Sequence, residues 1–247
     1  MSAARVRPIV NRLLAALPVD ERTSLLQHCE SVELTFGDVL TEPGRPGRYA
    51  YFPVNGFISL ITPLDGQSRL EVGLVGDEGM LGVGTSLGVR NSPVQGLVQG
   101  AGKAWRISIV HFQRELQRSP ALRELLNRYL YVRMGQLALA AACNRYHVVA
   151  GRLARWLLMT ADRAHSDSFV ITHEFMSGML GVRRAGVTRA ASALRRRGLI
   201  RYSRGSLFIV DRVGLEAASC SCYQVMREAQ RRIMRPSPPP RRSRISA

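Results

Sequence analysis

The residues best suited to chemistry in this sequence are arginines gathered toward its C-terminal end. Between Phe175 and Val210 there are eight arginines and neither aspartate nor glutamate, so the segment carries a local charge of +8. The arginines stand at positions 183, 184, 189, 195, 196, 197, 201 and 204. A guanidinium group is planar and can bind a phosphate or a guanine edge through two hydrogen bonds. The cluster therefore favours a polyanionic partner.

Two short helices joined by a tight turn are predicted to carry these arginines. Thr172 can cap the first helix through its hydroxyl group, and Gly181 permits a left-handed turn between the helices. Both helices have apolar residues at helical spacing. The inward faces are Phe175, Met179 and Leu180 in the first helix, Val182 at the corner, and Val187, Ala190, Ala191 and Leu194 in the second.

The residues left on the outer face of the second helix suit the major groove of DNA. They are Arg183, Arg184, Thr188, Arg189, Ser192 and Arg195. The first residues of a recognition helix reach the edges of the bases, and this helix begins with arginines and a threonine. Strands predicted at 198–202 and 206–210, with a turn at Arg204-Gly205, form a wing that can touch the flanking backbone. Arg204 is therefore a further candidate DNA contact.

A solvated basic helix in some other small domain is the alternative interpretation of this segment. It predicts acidic residues scattered among the arginines, and none occurs between Phe175 and Val210. DNA binding is favoured for that reason. A nonspecific nucleoid-associated or RNA-binding protein, whose arginines act only through their charge, stays open as the alternative function.

The charge of the chain is divided between its two halves. With 247 residues it can form one or two domains, and its net charge of +17 points to nucleic acid or an anionic membrane surface. Residues 20–90, however, contain ten acidic residues and five arginines, a net charge of −5. Two modules with different partners are therefore expected. Because no run of about 18 apolar residues is present, we expect a cytoplasmic protein that does not associate with membranes.

The N-terminal half has the pattern of an antiparallel β-sandwich or barrel. Helical spacing of apolar residues predicts two short helices, over 8–17 and 19–29. From Ser31 to Arg106, short alternating or apolar segments are broken by glycine and proline, as is typical of antiparallel strands. The pairs Asn55-Gly56 and Asp65-Gly66 predict hairpin turns, because both residue types tolerate a positive φ.

A long helix is predicted from about Pro120 to Ala161. Alternating spacings of four and three residues define a stripe along it: Leu126, Leu130, Arg133, Leu137, Ala140, Asn144 and His147. This spacing favours a dimer seam over the alternative, a helix buried within one chain.

A last helix is predicted over about 214–234. The terminus from Arg235 to Ala247 is rich in proline and arginine and is predicted to be disordered.

Enzymatic, metal or cofactor chemistry is not predicted. The cysteines are Cys29, Cys143, Cys220 and Cys222. A Cys-x-Cys spacing without a second pair or nearby histidines falls short of a zinc or iron-sulfur ligand set. We therefore predict structural thiols, with a redox role for Cys220 and Cys222 as the alternative. Asp77 and Glu78 are adjacent in a strand and point to opposite faces, so they do not form an acid/base pair.

One segment resembles the helix-turn-helix of the Crp/Fnr family of bacterial transcription regulators. It is T-H-E-F-M-S-G-M-L-G-V-R-R-A-G-V-T-R at 172–189, followed by Leu194 and by G-L-I at 198–200. A looser match runs from E-P-G at 42–44 to Y-F-P-V-N-G-F-I-S-L at 51–60. The resemblance covers about 14–213. It implies an α+β fold: an N-terminal antiparallel jelly-roll barrel at 12–117, similar to cyclic-nucleotide-binding domains, a dimerisation helix at 118–147, and a winged helix-turn-helix at 148–214.

By this resemblance, a homodimer places two recognition helices in successive major grooves of a near-palindromic site. Arg184 and Arg189 occupy the two arginine positions of the family's recognition helix. Ala185 stands where glutamate is common, and Arg183 where serine is common, so a different target sequence is expected. The expected partners are double-stranded DNA and a second copy of the chain, with RNA polymerase as a further candidate.

The resemblance also implies a sensor with an altered ligand site. The family's nucleotide pocket uses a glutamate to hold the ribose and an arginine to neutralise the cyclic phosphate. Here the corresponding segments read G-V-G at 82–84 and N-S-P-V-Q at 91–95, with Arg90 as the nearby cation. An unpaired phosphate is costly to bury, so cyclic AMP is not expected to bind in the usual way. The candidate effector-binding residues are Gly82, Gly84, Arg90, Asn91 and Ser92, for an unidentified small molecule or none.

Overall fold

The N-terminal half of the chain forms an antiparallel sheet, and the C-terminal half forms helices with a second, smaller sheet. This computed structural model describes residues 11–64, 69–203 and 205–235. The helices are α1 (Arg12–Ala15), α2 (Val19–Gln27), α3 (Ile109–Arg118), α4 (Pro120–Tyr146), α5 (Val149–Ala164), α6 (His173–Leu180), α7 (Arg184–Arg196), α8 (Arg212–Ala218) and α9 (Cys222–Ile233). The strands are β1 (Cys29–Leu34), β2 (Val39–Thr41), β3 (Tyr49–Pro63), β4 (Arg69–Val75), β5 (Gln95–Ser108), β6 (Ser168–Val170), β7 (Ile200–Ser203) and β8 (Ser206–Ile209). The predicted α+β class is confirmed.

The large sheet has the strand order β1-β5-β3-β4, and β2 pairs with β5 beside this path. All of these pairings are antiparallel. The two long strands β3 and β5 pair from Tyr49 opposite Ser108 to Ile61 opposite Gln95. Phe52 and Ile58 of β3 are fully buried, so the long strands provide the centre of the N-terminal core.

The predicted hairpin turn at Asn55-Gly56 is wrong, because β3 continues through these residues. Pairing with β5 changes register on both sides of Asn55, which marks a β-bulge. Gly56 has a φ of 79°, and a Cβ at this position would lie 2.4 Å from the carbonyl oxygen of Gly100. A bulge and a hairpin turn can both require a left-handed residue, so the sequence pattern fits either. The other predicted turn, Asp65-Gly66, lies outside the described residues.

The predicted helix from Pro120 to Ala161 is in fact two helices, α4 and α5. Ser119 caps α4 by accepting a hydrogen bond from the Leu122 amide at 2.9 Å, and Pro120 follows it at the start of the helix. The chain leaves helical geometry at His147 and Val148, whose ψ angles are 141° and 150°. These two extended residues let α5 pack into the C-terminal core instead of continuing α4.

The stripe predicted as a dimer seam does not form one exposed face of α4. Leu126 is buried in the N-terminal core, Arg133 donates a hydrogen bond to a backbone oxygen of β4 at 3.2 Å, and Asn144 accepts one from α5 at 2.7 Å. The exposed apolar residues in the middle of α4 are Tyr131, Met134 and Leu137, which are 67 %, 68 % and 45 % exposed. We call these three the exposed apolar face of α4; only Leu137 belongs to the predicted stripe.

The last predicted helix is also divided, into α8 and α9. Asp211 caps α8 by accepting a hydrogen bond from the Gly214 amide at 2.8 Å. At the break, the Cys220 amide donates to the carbonyl oxygen of Gly151 at 3.2 Å, which ties the α8–α9 turn to the start of α5. Of the terminus predicted to be disordered, 236–247 lie outside the described residues. In the part of the chain that is described, no helix has the length and apolar character needed to cross a membrane.

The N-terminal sheet packs directly on the C-terminal half. Ile61 of β3 belongs to the same buried cluster as Trp156 of α5 and Met176 of α6. A hydrogen bond to the carboxylate of Glu71 in β4 joins the halves, because Trp156 Nε1 of α5 donates to it at 2.9 Å. Within the sheet, Ser59 Oγ of β3 donates to the same carboxylate at 2.8 Å. The two halves therefore share a core and a polar contact.

Candidate nucleic-acid interface and ligand cavity

A left-handed turn at Gly181 joins α6 to α7, as the sequence predicts. Thr172 caps α6 by accepting a hydrogen bond from the amide three residues further on, at 3.1 Å. Gly181 has φ 61° and ψ 42°, and the Val182 amide donates to the Ser177 carbonyl oxygen at 3.1 Å. A Cβ on Gly181 would lie 2.8 Å from Leu70 Cδ1 of β4. The turn is thus fixed by its own hydrogen bonds and by contact with the N-terminal sheet.

Burial along α7 follows the predicted stripe. Its buried residues are Val187, Ala190, Ala191 and Leu194. The candidate DNA contacts Arg183, Arg184, Thr188, Arg189 and Arg195 are exposed, and Ser192 is partly buried. In α6, Met179 and Leu180 are buried while Phe175 is only partly buried, and Met176, which was not predicted, is fully buried. The structure therefore presents all six candidate contacts of α7 near or on its solvent side.

His173 is part of this surface, although the sequence did not indicate it. Its Nδ1 lies 3.0 Å from Thr188 Oγ1, and its ring centroid lies 4.9 Å from that of Tyr202 in β7. Burial, followed by the charge of Arg184, lowers the pKa of His173. A neutral ring is therefore favoured near neutral pH. His173 connects Thr188 to the wing through contacts between residues distant in sequence, which no local spacing could predict.

The predicted wing is formed by β7 and β8, and β6 adds a third strand next to β8. The pairing runs from Ile200 opposite Ile209 to Ser203 opposite Ser206. The guanidinium carbon of Arg201 lies 4.9 Å from the centroid of the Phe208 ring. Arg204, the candidate contact at the tip of the wing, lies outside the described residues.

Few acidic side chains of the described residues form salt bridges with the arginines at the start and along the exposed side of α7. Arg184 Nε lies 4.0 Å from Glu174 Oε2, and these side chains are 70 % and 75 % exposed. Such an exposed pair contributes little free energy. Within the described ranges, Arg183, Arg189 and Arg195 form no salt bridge. Their guanidinium groups are free to bind an anionic partner.

A cavity of about 270 Å³ lies between the N-terminal sheet and α4. All five candidate effector residues line it, namely Gly82, Gly84, Arg90, Asn91 and Ser92. From α4, the lining includes Leu130, Arg133, Met134 and Leu137. Met134 and Leu137 therefore belong both to the cavity and to the exposed apolar face of α4.

Two arginines line this cavity, in different surroundings. Arg133 is already engaged, because its guanidinium donates to the Leu74 carbonyl oxygen at 3.2 Å and to Gln136 Oε1 at 2.7 Å. Arg90 is exposed. No aspartate or glutamate is found among the described residues that line the cavity. Arg90 is thus the cation best placed to pair with an anionic group of a ligand.

Three of the four cysteines converge with His147 where α4 ends. Cys143 Sγ lies 3.6 Å from Cys220 Sγ, and Cys222 Sγ lies 3.5 Å from His147 Nδ1. The four ligand atoms lie within 4.8 Å of one another. The prediction that no histidine accompanies the Cys-x-Cys pair is therefore wrong. The two contacts join residues 77 and 75 positions apart, so sequence spacing could not reveal them.

A helix-turn-helix with a three-stranded wing, joined by a long helix to an antiparallel sheet domain, defines a winged-helix fold with an N-terminal sheet domain. The family model described as a Crp-like helix-turn-helix domain matches residues 151–218. No curated protein is significantly similar to the chain in sequence.

Solved structures share the fold of most of the chain. A putative regulator of the Crp/Fnr family from Eubacterium rectale is 17 % identical with a TM-score of 0.66, and the match covers 86 % of this chain and 97 % of that one. The c-di-GMP responsive regulator CLP from Xanthomonas campestris is 17 % identical with a TM-score of 0.64, covering 78 % and 99 %. FixK2 from Bradyrhizobium japonicum is 12 % identical with a TM-score of 0.65, covering 78 % and 98 %.

The domain match and the shared fold agree with the site. Residues 151–218 therefore contain a Crp-like helix-turn-helix domain, and the chain shares the fold of solved regulators of the Crp/Fnr family.

Proposed function

We propose that the protein acts in the cytoplasm as a dimeric, sequence-specific transcription regulator that reads a near-palindromic DNA site with α7. In this proposal, residues 12–117 are the sensor domain, 118–147 the dimerisation helix and 148–214 the DNA-binding domain. At promoters, RNA polymerase is its proposed protein partner.

The observation that carries the proposal is the solvent side of α7. Arg184 and Arg189 are exposed near the start of a helix whose other side is held by a buried apolar stripe. Arg183 occupies the N-cap position, and no side chain from the described residues caps the helix there. The first amides of α7 can therefore meet a DNA phosphate, while the arginines reach guanine edges.

The exposed apolar face of α4 supports the dimer. Tyr131, Met134 and Leu137 are large apolar residues whose side chains are substantially exposed to water in a single chain. Pairing with the same face of a second copy removes this surface from water, which is favourable. A two-fold arrangement then allows the two α7 helices to enter major grooves about 34 Å apart.

The cavity beside α4 supports a sensor role for residues 12–117. A ligand there contacts the glycines at 82 and 84 as well as Met134 and Leu137, so its binding can alter the face through which two chains pair. We propose a small molecule with an apolar body, and Arg90 as the partner of any anionic group that it carries. Thermal shift measurements with nucleotides and with apolar carboxylic acids test this, because a ligand of the folded state raises the melting temperature.

Footprinting on the DNA upstream of the protein's own gene tests the proposed function. We expect protection of two half-sites separated by one helical turn, which weakens as salt is raised because counterions compete for the phosphates. Binding to random DNA of equal length serves as the control. Equal affinity for both DNAs would contradict sequence-specific regulation and favour a nonspecific nucleoid-associated protein.

A further inference from the structure

Four side chains at the junction between α4 and the winged helix have the geometry of a metal site. Zinc binds cysteine sulfur at about 2.3 Å and histidine nitrogen at about 2.0–2.1 Å, so a tetrahedral site separates two sulfurs by about 3.8 Å and a sulfur and a nitrogen by about 3.6 Å. Cys143 Sγ and Cys220 Sγ are 3.6 Å apart, and Cys222 Sγ and His147 Nδ1 are 3.5 Å apart. We propose that Cys143, His147, Cys220 and Cys222 bind one Zn²⁺ ion.

Local structure brings the four ligands together as two pairs. Cys143 and His147 are four residues apart at the end of α4, where such residues share one side of a helix, and the His147 amide donates to the Cys143 carbonyl oxygen at 3.1 Å. Cys220 and Cys222 flank the start of α9, and the Cys220 amide is held by the Gly151 carbonyl oxygen at 3.2 Å. Each half of the site is therefore positioned by backbone hydrogen bonds.

The charges around the cluster suit an anionic metal centre. When Zn²⁺ binds, three thiol protons are released, and three thiolates, one neutral imidazole and the ion together carry a charge of −1. Arg152 and Arg155 of α5 are buried, at 6 % and 8 % exposed, and interact electrostatically with these cysteines. Among the described residues, neither arginine has a salt-bridge partner, and the Nε atom of each lacks a hydrogen bond. The metal centre would place a negative charge beside these two arginines.

A single ion fits the cluster better than a disulfide or an iron-sulfur cluster. A disulfide between Cys143 and Cys220 requires sulfurs about 2.05 Å apart and gives no role to His147 and Cys222. An iron-sulfur cluster spreads its ligands around several iron and sulfide atoms, whereas these four ligand atoms lie within 4.8 Å of one another. Donors that converge in this way suit one tetrahedral Zn²⁺.

The position of the site gives the ion a structural role in regulation. It joins the end of α4 to the α8–α9 turn, across the two extended residues His147 and Val148 that separate α4 from α5. α4 carries the exposed apolar face, and α5 belongs to the core that supports α7. Zinc would therefore fix the direction of the DNA-binding domain relative to α4, although none of its ligands contacts DNA in the proposed function.

Metal analysis of the full-length protein tests the proposal. Protein dialysed against Zn²⁺ under reducing conditions and then freed of excess metal should retain one Zn²⁺ per chain, and Co²⁺ in its place should give the visible absorption of tetrahedral cobalt-thiolate. Cys222→Ser should lose most of the metal and the cobalt spectrum. Cys29→Ser, which changes a cysteine outside the cluster, should keep both. His147→Cys should also keep the metal, because it retains four ligands.

Other results would overturn the site. Wild-type protein that retains no Zn²⁺, or equal metal loss in Cys29→Ser and Cys222→Ser, would exclude it. Iron with inorganic sulfide in protein purified without oxygen would show that the cluster holds an iron-sulfur centre instead of zinc. A Cys143–Cys220 disulfide in protein that is purified without metal would show that these two cysteines form a covalent bond instead of a zinc site. If Cys222→Ser does not fold, loss of zinc from the wild type to a strong chelator should still lower its melting temperature, and an unchanged melting temperature would contradict the structural role. These metal readouts do not depend on DNA binding, so they can fail while the proposed function stands.

Discussion

Replacing Glu71 by glutamine is expected to change how the stability of the protein depends on pH. The residue is partly buried where β4 packs on α5, and both of its carboxylate oxygens accept hydrogen bonds, from Ser59 at 2.8 Å and Trp156 at 2.9 Å. Burial raises the pKa of Glu71 from 4.5 to about 7, while these hydrogen bonds and the charges of Arg163 and Arg155 act in the opposite direction.

The sign and size of the effect follow from proton binding. Between pH 4.5 and about 7 the folded protein holds a proton on Glu71 that the unfolded chain has released. This stabilisation is complete below the lower pKa and is lost as pH rises through the higher one. At about 1.4 kcal/mol for each pKa unit, the loss is on the order of 3 kcal/mol. Glu71→Gln has no proton to release and should avoid this loss.

Urea denaturation from about pH 5 to about pH 8 measures the difference in the free energy of unfolding between wild type and variant. Across this range the wild type should lose about 3 kcal/mol relative to Glu71→Gln. Glu33→Gln is the matched control, because Glu33 has a side chain that is 71 % exposed, and it should follow the wild type. If the free energies of unfolding of wild type and Glu71→Gln changed in parallel with pH, the buried carboxyl group of Glu71 would not hold a proton in the folded protein.

Three further variants test the fold and the dimer. Met176→Ala removes a fully buried side chain from the C-terminal core and should lower the free energy of unfolding by about 2–5 kcal/mol; a change below about 1 kcal/mol would show that the site is not close-packed. Gly56→Ala should lower the melting temperature, because φ is 79° and the added Cβ meets a carbonyl oxygen at 2.4 Å; an unchanged melting temperature would argue against the bulge. Met134→Asp with Leu137→Asp should shift sedimentation toward the monomer, whereas Val110→Asp on α3 should not, and equal behaviour would exclude the α4 seam.

Local patterns in the sequence were sufficient to predict the helix-turn-helix. The stripe from Val187 to Leu194, the cap at Thr172 and the left-handed turn at Gly181 each depend on residues within one or two helical turns. The confirmed α+β class follows from the same kind of signal, helical spacing in one half and strands separated by turns in the other. The DNA contacts assigned to α7 stay a prediction.

Features that depend on distant contacts were missed or misread. Asn55-Gly56 suggested a hairpin because a bulge has the same local requirement, and only pairing with β5 separates the two. The predicted dimer stripe includes Leu126, which is buried in the N-terminal core. The spacing of apolar residues along α4 does not show which of its faces the sheet covers. Cys143 and Cys220 are 77 residues apart in sequence, so their contact arises from the packing of α4 and the α8–α9 turn.

The most direct test of the account is whether an arginine of α7 distinguishes one DNA sequence from another. We expect Arg184→Ala to weaken binding to the footprinted site by about 1–3 kcal/mol, or about 5- to 150-fold, with much less change on random DNA at the same salt concentration. Arg114→Ala, which removes an exposed arginine of α3, controls for the loss of charge and should leave the ratio of the two affinities unchanged. Equal weakening of Arg184→Ala on both DNAs would contradict base recognition by this residue and make it a phosphate contact.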